Sequence, residues 1–143
     1  MVTKSEAFSL AEGALPVQVR IARPTNRFDE VIAFYRDGLG MCELYRFDSH
    51  DGYDGIMLGV PDRRLHLEFT RHRDGSPCPA PTRDNLLVLY ITDADQYQRL
   101  CQRMTRLGHT AVEPENPYWR DISTTFEDPD GWRVVLCREL GIG

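Results

Sequence analysis

The first ordered pattern in the chain is a run in which apolar and polar residues alternate. Residues 17–22 have this period of two, and Pro24 ends it, which is typical of a half-buried strand. Apolar residues then recur three or four positions apart until Gly40, which is the spacing of one face of a helix. With Thr25 or Asn26 as its N-terminal cap, this segment predicts an amphipathic helix packed on a sheet.

Three further strands are predicted in the first half of the chain. Each run is rich in strand-forming residues, and turn signals at Gly52 and Pro61 separate the runs. The runs are residues 42–47, 53–60 and 64–71. In the third run His66 and Glu68 share one face of the strand, and the apolar residues between them share the other. A glycine, three prolines and several charges then indicate a connector at residues 72–84.

The second half of the chain repeats this pattern. Residues 85–91 predict an apolar strand. Thr92 with Asp95 resembles a capping box for a helix that ends at Gly108. Three strands are predicted after that helix, at residues 109–114, 121–127 and 132–138.

Matching positions in the two halves have equal spacing. Twenty residues separate Val19 from Leu39, and twenty separate Leu87 from Leu107, which indicates an internal repeat. The sequence therefore predicts an α+β fold of duplicated βαβββ units. These units would form a curved, cleft-bearing mixed sheet with helices on the outer faces.

The domain organisation follows from the length and the repeat. A chain of 143 residues has room for one hydrophobic core, so residues 16–143 are predicted to form a single domain. Unit one would occupy residues 17–71 and unit two residues 85–138. Residues 1–15 show no period and contain Gly13, and we expect a flexible arm there.

Composition and charge exclude several classes of partner. The formal net charge is −5, which is the wrong sign for a surface that neutralises nucleic-acid phosphates. No window approaches the roughly 20 apolar residues of a membrane span, and the first residues lack the apolar core of a signal peptide. We therefore expect a cytoplasmic protein, not bound to membranes, whose cysteines are reduced. The cysteines are Cys42, Cys78, Cys101 and Cys137.

Several stretches carry motifs of one superfamily. The most specific are Phe34-Tyr35 followed by Leu39-Gly40, and the turn Asp128-Pro129-Asp130-Gly131. The longer stretches are VRIARPTNRFDEVIAFYRDGLGM at 19–41, LHLEFT at 65–70, LYITDADQYQRLCQRMTRLGH at 89–109 and NPYWRDISTTFEDPDGWRVVL at 116–136. They resemble the vicinal oxygen chelate superfamily, which includes glyoxalase I, the bleomycin-resistance proteins and the extradiol dioxygenases. The resemblance implies the same duplicated fold around a cleft.

The resemblance also implies where a metal ion would lie. Metalloenzymes of the superfamily bind one divalent ion at the cleft floor, through the first and last strands of each unit, where it stabilises developing negative charge. In unit one these positions fall on Gln18 and Glu68, which could supply oxygen ligands. The matching positions of unit two are Leu86 and Val135, which could not. Because two donors are too few for a divalent ion, we expect no metal and no cofactor.

Other side chains of the predicted cleft indicate a binding site. Arg20 shares the strand face of Gln18, and its guanidinium could bind an anionic group of a ligand or pair with Glu68. His66 is expected to form a hydrogen bond within the polar cleft. The remaining predicted wall residues, beside Leu86 and Val135, are Val88, Tyr90, Tyr118 and Trp119.

These features predict a metal-independent protein that binds or sequesters a small amphipathic or anionic organic molecule. Its cleft would be polar on unit one and apolar on unit two. The alternative is a glyoxalase-like lyase or isomerase, or a dioxygenase-like enzyme, in which Glu68 is a metal ligand or a general base. An assembly module is a third alternative, but it leaves the polar inward residues unexplained. The open edge of a curved sheet also predicts a homodimer.

Overall fold

The structure, a computed structural model, describes residues 9–142. Unit one consists of β1 (Val19–Pro24), α1 (Phe28–Ile32, continued as a π-helix over Ala33–Gly38), β2 (Cys42–His50), β3 (Tyr53–Gly59) and β4 (Leu65–His72). Unit two consists of β5 (Leu86–Tyr90), α2 (Ala94–Arg106), β6 (Ala111–Val112), β7 (Ser123–Glu127) and β8 (Arg133–Cys137). Of the predicted flexible arm, residues 1–8 lie outside the described part. Within residues 9–142 no helix is both long and apolar enough to cross a membrane.

The strands form two four-stranded sheets with the same topology. Their strand orders are β1-β4-β3-β2 and β5-β8-β7-β6. In each sheet the first strand runs parallel to the last, and the other neighbours are antiparallel. The predicted α+β fold of duplicated βαβββ units is therefore confirmed.

The helix starts differ from those predicted. Asp93, not Thr92, caps α2, because its carboxylate accepts a hydrogen bond from the backbone N–H of Gln96 at 2.9 Å. The capping box predicted for Thr92 was therefore wrong by one residue. The first helix begins after Arg27 and has no side-chain cap. Thr25 Oγ1 instead accepts from the Arg27 N–H at 2.9 Å and holds the turn that leads into the helix.

One hydrophobic core joins the two units. It includes buried side chains from α1, β3, β4, α2, β7 and β8. The two helices meet near their C-terminal ends, where a side chain at Gly38 would come within 2.8 Å of Met104 Sδ. Arg103 Nη2 donates to the Asp37 carbonyl at 2.6 Å and fixes the same contact. The repeated halves therefore share one core of contacting buried side chains.

A buried ion network also links the units. The Arg23 guanidinium pairs with Asp128 and, at 2.8 Å, with Asp130, both in the turn before β8. The hydroxyl of Tyr35 donates to Asp128 at 2.7 Å. Burial, together with the negative charge of Asp128, raises the pKa of Tyr35, so the phenol remains a donor. Arg23 and Tyr35, both of unit one, thus fix the position of this turn.

Candidate functional site

A cavity opens on the face of the first sheet that α1 leaves uncovered. In the register Arg20 lies opposite His66, and Ala22 lies opposite Glu68, so the polar side chains of β1 and β4 share this face. The cavity has a volume of about 290 Å³. Its lining residues are Gln18, Arg20, Leu44, Tyr45, Met57, Arg63 and His66. Three of the predicted binding residues, all in unit one, are therefore brought together.

Arg20 contacts two polar side chains of β4. Its Nε donates to His66 Nε2 at 3.0 Å, and its Nη1 lies 3.7 Å from Glu68 Oε2. His66 Nδ1 lies 3.3 Å from the backbone carbonyl of Arg63. Because Nε2 accepts from Arg20, the ring proton belongs on Nδ1, where it faces that carbonyl. His66 is buried in this arrangement, and both of its ring nitrogens have a partner.

An irregularity in β2 supplies the apolar wall of the cavity. Glu43 pairs with Leu58 and Tyr45 pairs with Met57, so Leu44 is an extra residue on β2. A bulge of this kind changes the direction of the side chains beside it. Leu44 and its neighbour Tyr45 therefore both line the cavity, although regular alternation would place them on opposite faces.

Arg63 lies in the hairpin between β3 and β4 with a left-handed backbone, φ +66°. Its N–H donates to the Val60 carbonyl at 3.0 Å, and its own carbonyl lies beside His66. Arg63 is an exposed residue that lines the cavity, and its guanidinium has no ion pair or hydrogen bond with any residue in the range 9–142. In the described part of the chain, Arg63 is thus the cation of the cavity whose charge no neighbouring carboxylate balances.

The donors on this face do not fit a divalent metal ion. Arg20 already contacts the two best candidates, His66 and Glu68. No group of three His, Cys, Asp or Glu side chains with metal-binding geometry occurs in the described part of the chain. A divalent ion would have to displace a guanidinium cation and would then find too few ligands.

The predicted wall residues of unit two lie elsewhere. Val88 pairs with Val135, and Tyr90 with Cys137, so these side chains share one face of the second sheet with Leu86. None of them lines the cavity of unit one. Within one chain the structure therefore does not bring the two predicted halves of the cleft together.

A loop lies against part of that second face. Trp119 borders a narrow space together with Leu86 and Val135, and its carbonyl accepts from Ser123 Oγ at 2.5 Å. Val135 is fully buried, whereas Tyr118 is 67% exposed at the surface of the loop. Trp119 thus packs against unit two, and Tyr118 does not line the cavity of unit one.

Sequence reasoning missed four residues of the cavity: Leu44, Tyr45, Met57 and Arg63. Leu44 and Tyr45 depend on the bulge, which leaves no trace in the apolar pattern of β2. Arg63 lies in a predicted turn, where a charged residue is interpreted as an ordinary solvated side chain. Only Met57 could have been found, because it lies opposite Glu68 in an antiparallel pairing that the turn signals predict.

Comparisons with known proteins agree with this architecture. Family models for the YycE-like N-terminal domain and the YycE-like C-terminal domain match residues 19–70 and 84–138. The uncharacterized protein YycE of Bacillus subtilis (strain 168) is 46% identical over 125 residues, which cover 87% of this chain and 90% of YycE.

Two solved structures place the fold among known ones. A YycE protein of unknown function from Bacillus subtilis has a TM-score of 0.87 and 43% identity over 92% of this chain and 96% of that one. Glyoxalase I of Leishmania major has a TM-score of 0.67 and 20% identity over 85% of this chain and 86% of that one. The chain belongs to the YycE-like family, and it shares its fold with glyoxalase I.

Proposed function

We propose that the protein binds or sequesters a small organic molecule, without a metal ion, in the cavity of unit one. The observation that carries this proposal is the position of Arg20, whose guanidinium lies between His66 and Glu68. The Arg20 guanidinium thereby supplies the positive charge that a bound metal ion would otherwise supply. The same cavity offers polar groups on β1 and β4 and apolar side chains on β2 and β3, which suits an amphipathic ligand.

The proposal extends to a homodimer. Strands β1 and β5 are edge strands of their sheets, and an open edge invites pairing with another chain. Val19, Ile21 and Leu65 are apolar and exposed along β1 and its neighbour β4. A second copy placed there would cover these side chains and could bring a unit-two face toward the cavity of unit one.

We also propose that the protein acts in the cytoplasm. All four cysteines are free thiols in the structure, which suits a reducing compartment.

A ligand screen in the presence of a chelator tests the binding proposal. We expect some small amphipathic compounds to raise the Tm of the chelated protein, because a ligand that binds only the folded state stabilises it. Tyr45→Ala should weaken those compounds, since Tyr45 lines the cavity. Tyr53→Ala is the matched control, because Tyr53 is also a partly exposed strand tyrosine but does not line the cavity.

The competing hypothesis is that the protein is an enzyme in which Glu68 is a metal ligand or a general base. If compounds bind only after zinc, nickel, manganese or iron is added, and Glu68→Ala abolishes that binding, the metal-independent proposal is wrong. Turnover of a bound compound that Glu68→Gln abolishes would likewise establish an enzyme.

A further inference from the structure

We infer that the ligand of this cavity is a singly charged organic anion whose negative group lies against Arg63. Its apolar body would contact Leu44, Tyr45 and Met57. The inference rests on the proposed binding function and names the chemical class of the ligand. It also assigns the positive charge that binds the ligand to Arg63, and not to Arg20.

The charges around the cavity support a single negative group on the ligand. The Arg20 guanidinium lies 3.7 Å from the Glu68 carboxylate, so each charge partly balances the other. In this geometry Nε2 of His66 accepts from Arg20 and so carries no proton, and Nδ1 faces a backbone carbonyl. Among the described residues that line the cavity, Arg63 therefore contributes the one positive charge without a counter-charge, and a monoanion would balance it.

The backbone holds Arg63 in place at the edge of the cavity. A non-glycine residue in the left-handed region is strained, and it persists only where neighbouring contacts fix it. Here the hydrogen bond to Val60 and the contact of the Arg63 carbonyl with His66 fix it from both sides. Asp62 accepts from the Arg64 backbone N–H at 3.0 Å and forms no ion pair with Arg63.

The opposite wall indicates the shape of the ligand. Leu44 and Met57 offer apolar surface, and Tyr45, which is 60% exposed, offers a ring face on which a flat group can stack. A volume of about 290 Å³ lies at the small end of ligand pockets, which range over about 300–1,000 Å³. Together these features favour a compact aromatic or alicyclic carboxylic acid over a nucleotide or a long acyl chain.

Three isosteric probes test this inference: 1-naphthoate, the neutral 1-naphthamide and the cationic 1-naphthylmethylamine. Affinities are measured by calorimetry and ligand-observed NMR on the chelated full chain. We expect naphthoate to bind roughly tenfold or more tightly than the amide, as a charge-assisted hydrogen bond implies. The amine should bind more weakly than the amide.

Variants at neighbouring arginines locate the charge that matters. Arg63→Gln should lower the affinity for naphthoate by roughly tenfold or more and leave the affinity for the amide unchanged. Arg63→Lys should retain part of the preference, because it keeps the charge but not the fork of donors. Arg64→Gln is the matched control: Arg64 carries the same charge one residue along but does not line the cavity.

The possible outcomes separate this inference from the proposed function. Equal binding of naphthoate and naphthamide, or an unchanged preference in Arg63→Gln, overturns the role of Arg63 while small-molecule binding stands. Equal losses in Arg63→Gln and Arg64→Gln overturn it too, since they indicate a general surface field. If no probe binds but other neutral compounds do, the ligand class is wrong. Binding that requires added metal overturns the proposed function itself.

Discussion

Arg20 has several possible partners, and the sequence alone does not show which of them it contacts. The sequence left open whether it binds a ligand anion or pairs with Glu68, and the structure gives it both His66 and Glu68. The side chain of Arg20 is 47% exposed and that of Glu68 is 15% exposed. Solvent screening therefore limits the strength of this ion pair to about 1 kcal/mol.

A double-mutant cycle tests that pair. Arg20→Ala, Glu68→Ala and the double variant should show a coupling of about 0.3–1 kcal/mol in urea unfolding, because the pair is close but partly solvated. Strict additivity of the two single changes would show that the pair contributes nothing to stability.

His109 predicts a pH dependence of stability. The imidazole packs edge-on against Phe34 with ring centroids 4.9 Å apart, and burial lowers the pKa of His109 below its usual 6.5. Above about pH 6.5 the imidazole is neutral in both the folded and the unfolded chain. As the pH falls below that value the unfolded chain takes up the proton first, so the free energy of unfolding decreases.

Urea unfolding at about pH 5 and about pH 8 measures this effect. In His109→Gln the difference between the two pH values should become smaller than in the unchanged chain. His50→Gln is the control, because His50 lies exposed at a hairpin. An unchanged difference in His109→Gln would contradict the prediction.

At the scale of elements, local pattern predicted where helices and strands occur, and hydrogen bonding decided where they start. The helix α2 begins at Ala94 because the Asp93 carboxylate reaches the N–H of Gln96. Thr92, one residue earlier, has the right chemistry but the wrong position. The strand predicted at 109–114 is reduced to Ala111–Val112, since the chain turns at Asn116 into a short 3₁₀ helix.

The cap predicts that substitutions at two adjacent residues differ in their effect on the free energy of unfolding. Asp93→Ala should lower the free energy of unfolding by about 1 kcal/mol, because it leaves an N–H of the first turn without its acceptor. Thr92→Ala should change it by less than about 0.5 kcal/mol. Thermal or urea unfolding of both variants measures the contrast, and equal effects would show that the cap lies elsewhere.

At the scale of the whole molecule, buried charges join the two units. Arg23 lies between the rings of Phe69 and Trp132, at 4.9 and 5.2 Å from their centroids, and pairs with two aspartates of unit two. This cluster sits beside the shared core, so the two units should unfold together.

Removal of that guanidinium should be costly. Arg23→Met would leave Asp128 and Asp130 without their cation, and we expect a loss of roughly 3–5 kcal/mol in the free energy of unfolding. The exposed pair at Arg20 provides the comparison, since its loss should be much smaller. A change below about 1 kcal/mol for Arg23→Met would show that the network does not hold the units together.

The proposed homodimer predicts a particle of roughly twice 16.4 kDa in light scattering at micromolar concentration. Ile21→Lys should favour the monomer, because it places a charge on the exposed apolar strip of β1. Tyr118→Lys, at an exposed aromatic residue of unit two away from that strip, is the control. A single 16.4 kDa species for the unchanged chain would rule the dimer out under those conditions.

The sequence by itself determined the repeat, the fold class and three of the cavity residues, Gln18, Arg20 and His66. These depend on periods of two and 3.6 residues and on which residues share a strand face, and chain geometry imposes both locally. The cavity needs more than that, because Arg20 meets His66 across 46 residues of sequence. Only the register between strands brings such residues together.

Tertiary structure alone decided the rest of the site. The bulge at Leu44 brings two adjacent side chains into one wall, and Arg63, which has a left-handed backbone, lines the same cavity. The pairing of β5 with β8 puts Val135 on a face of the second sheet that does not line the cavity of unit one. Each of these outcomes depends on contacts between segments that are distant in the sequence. A local period of apolar residues does not specify the energies of such contacts.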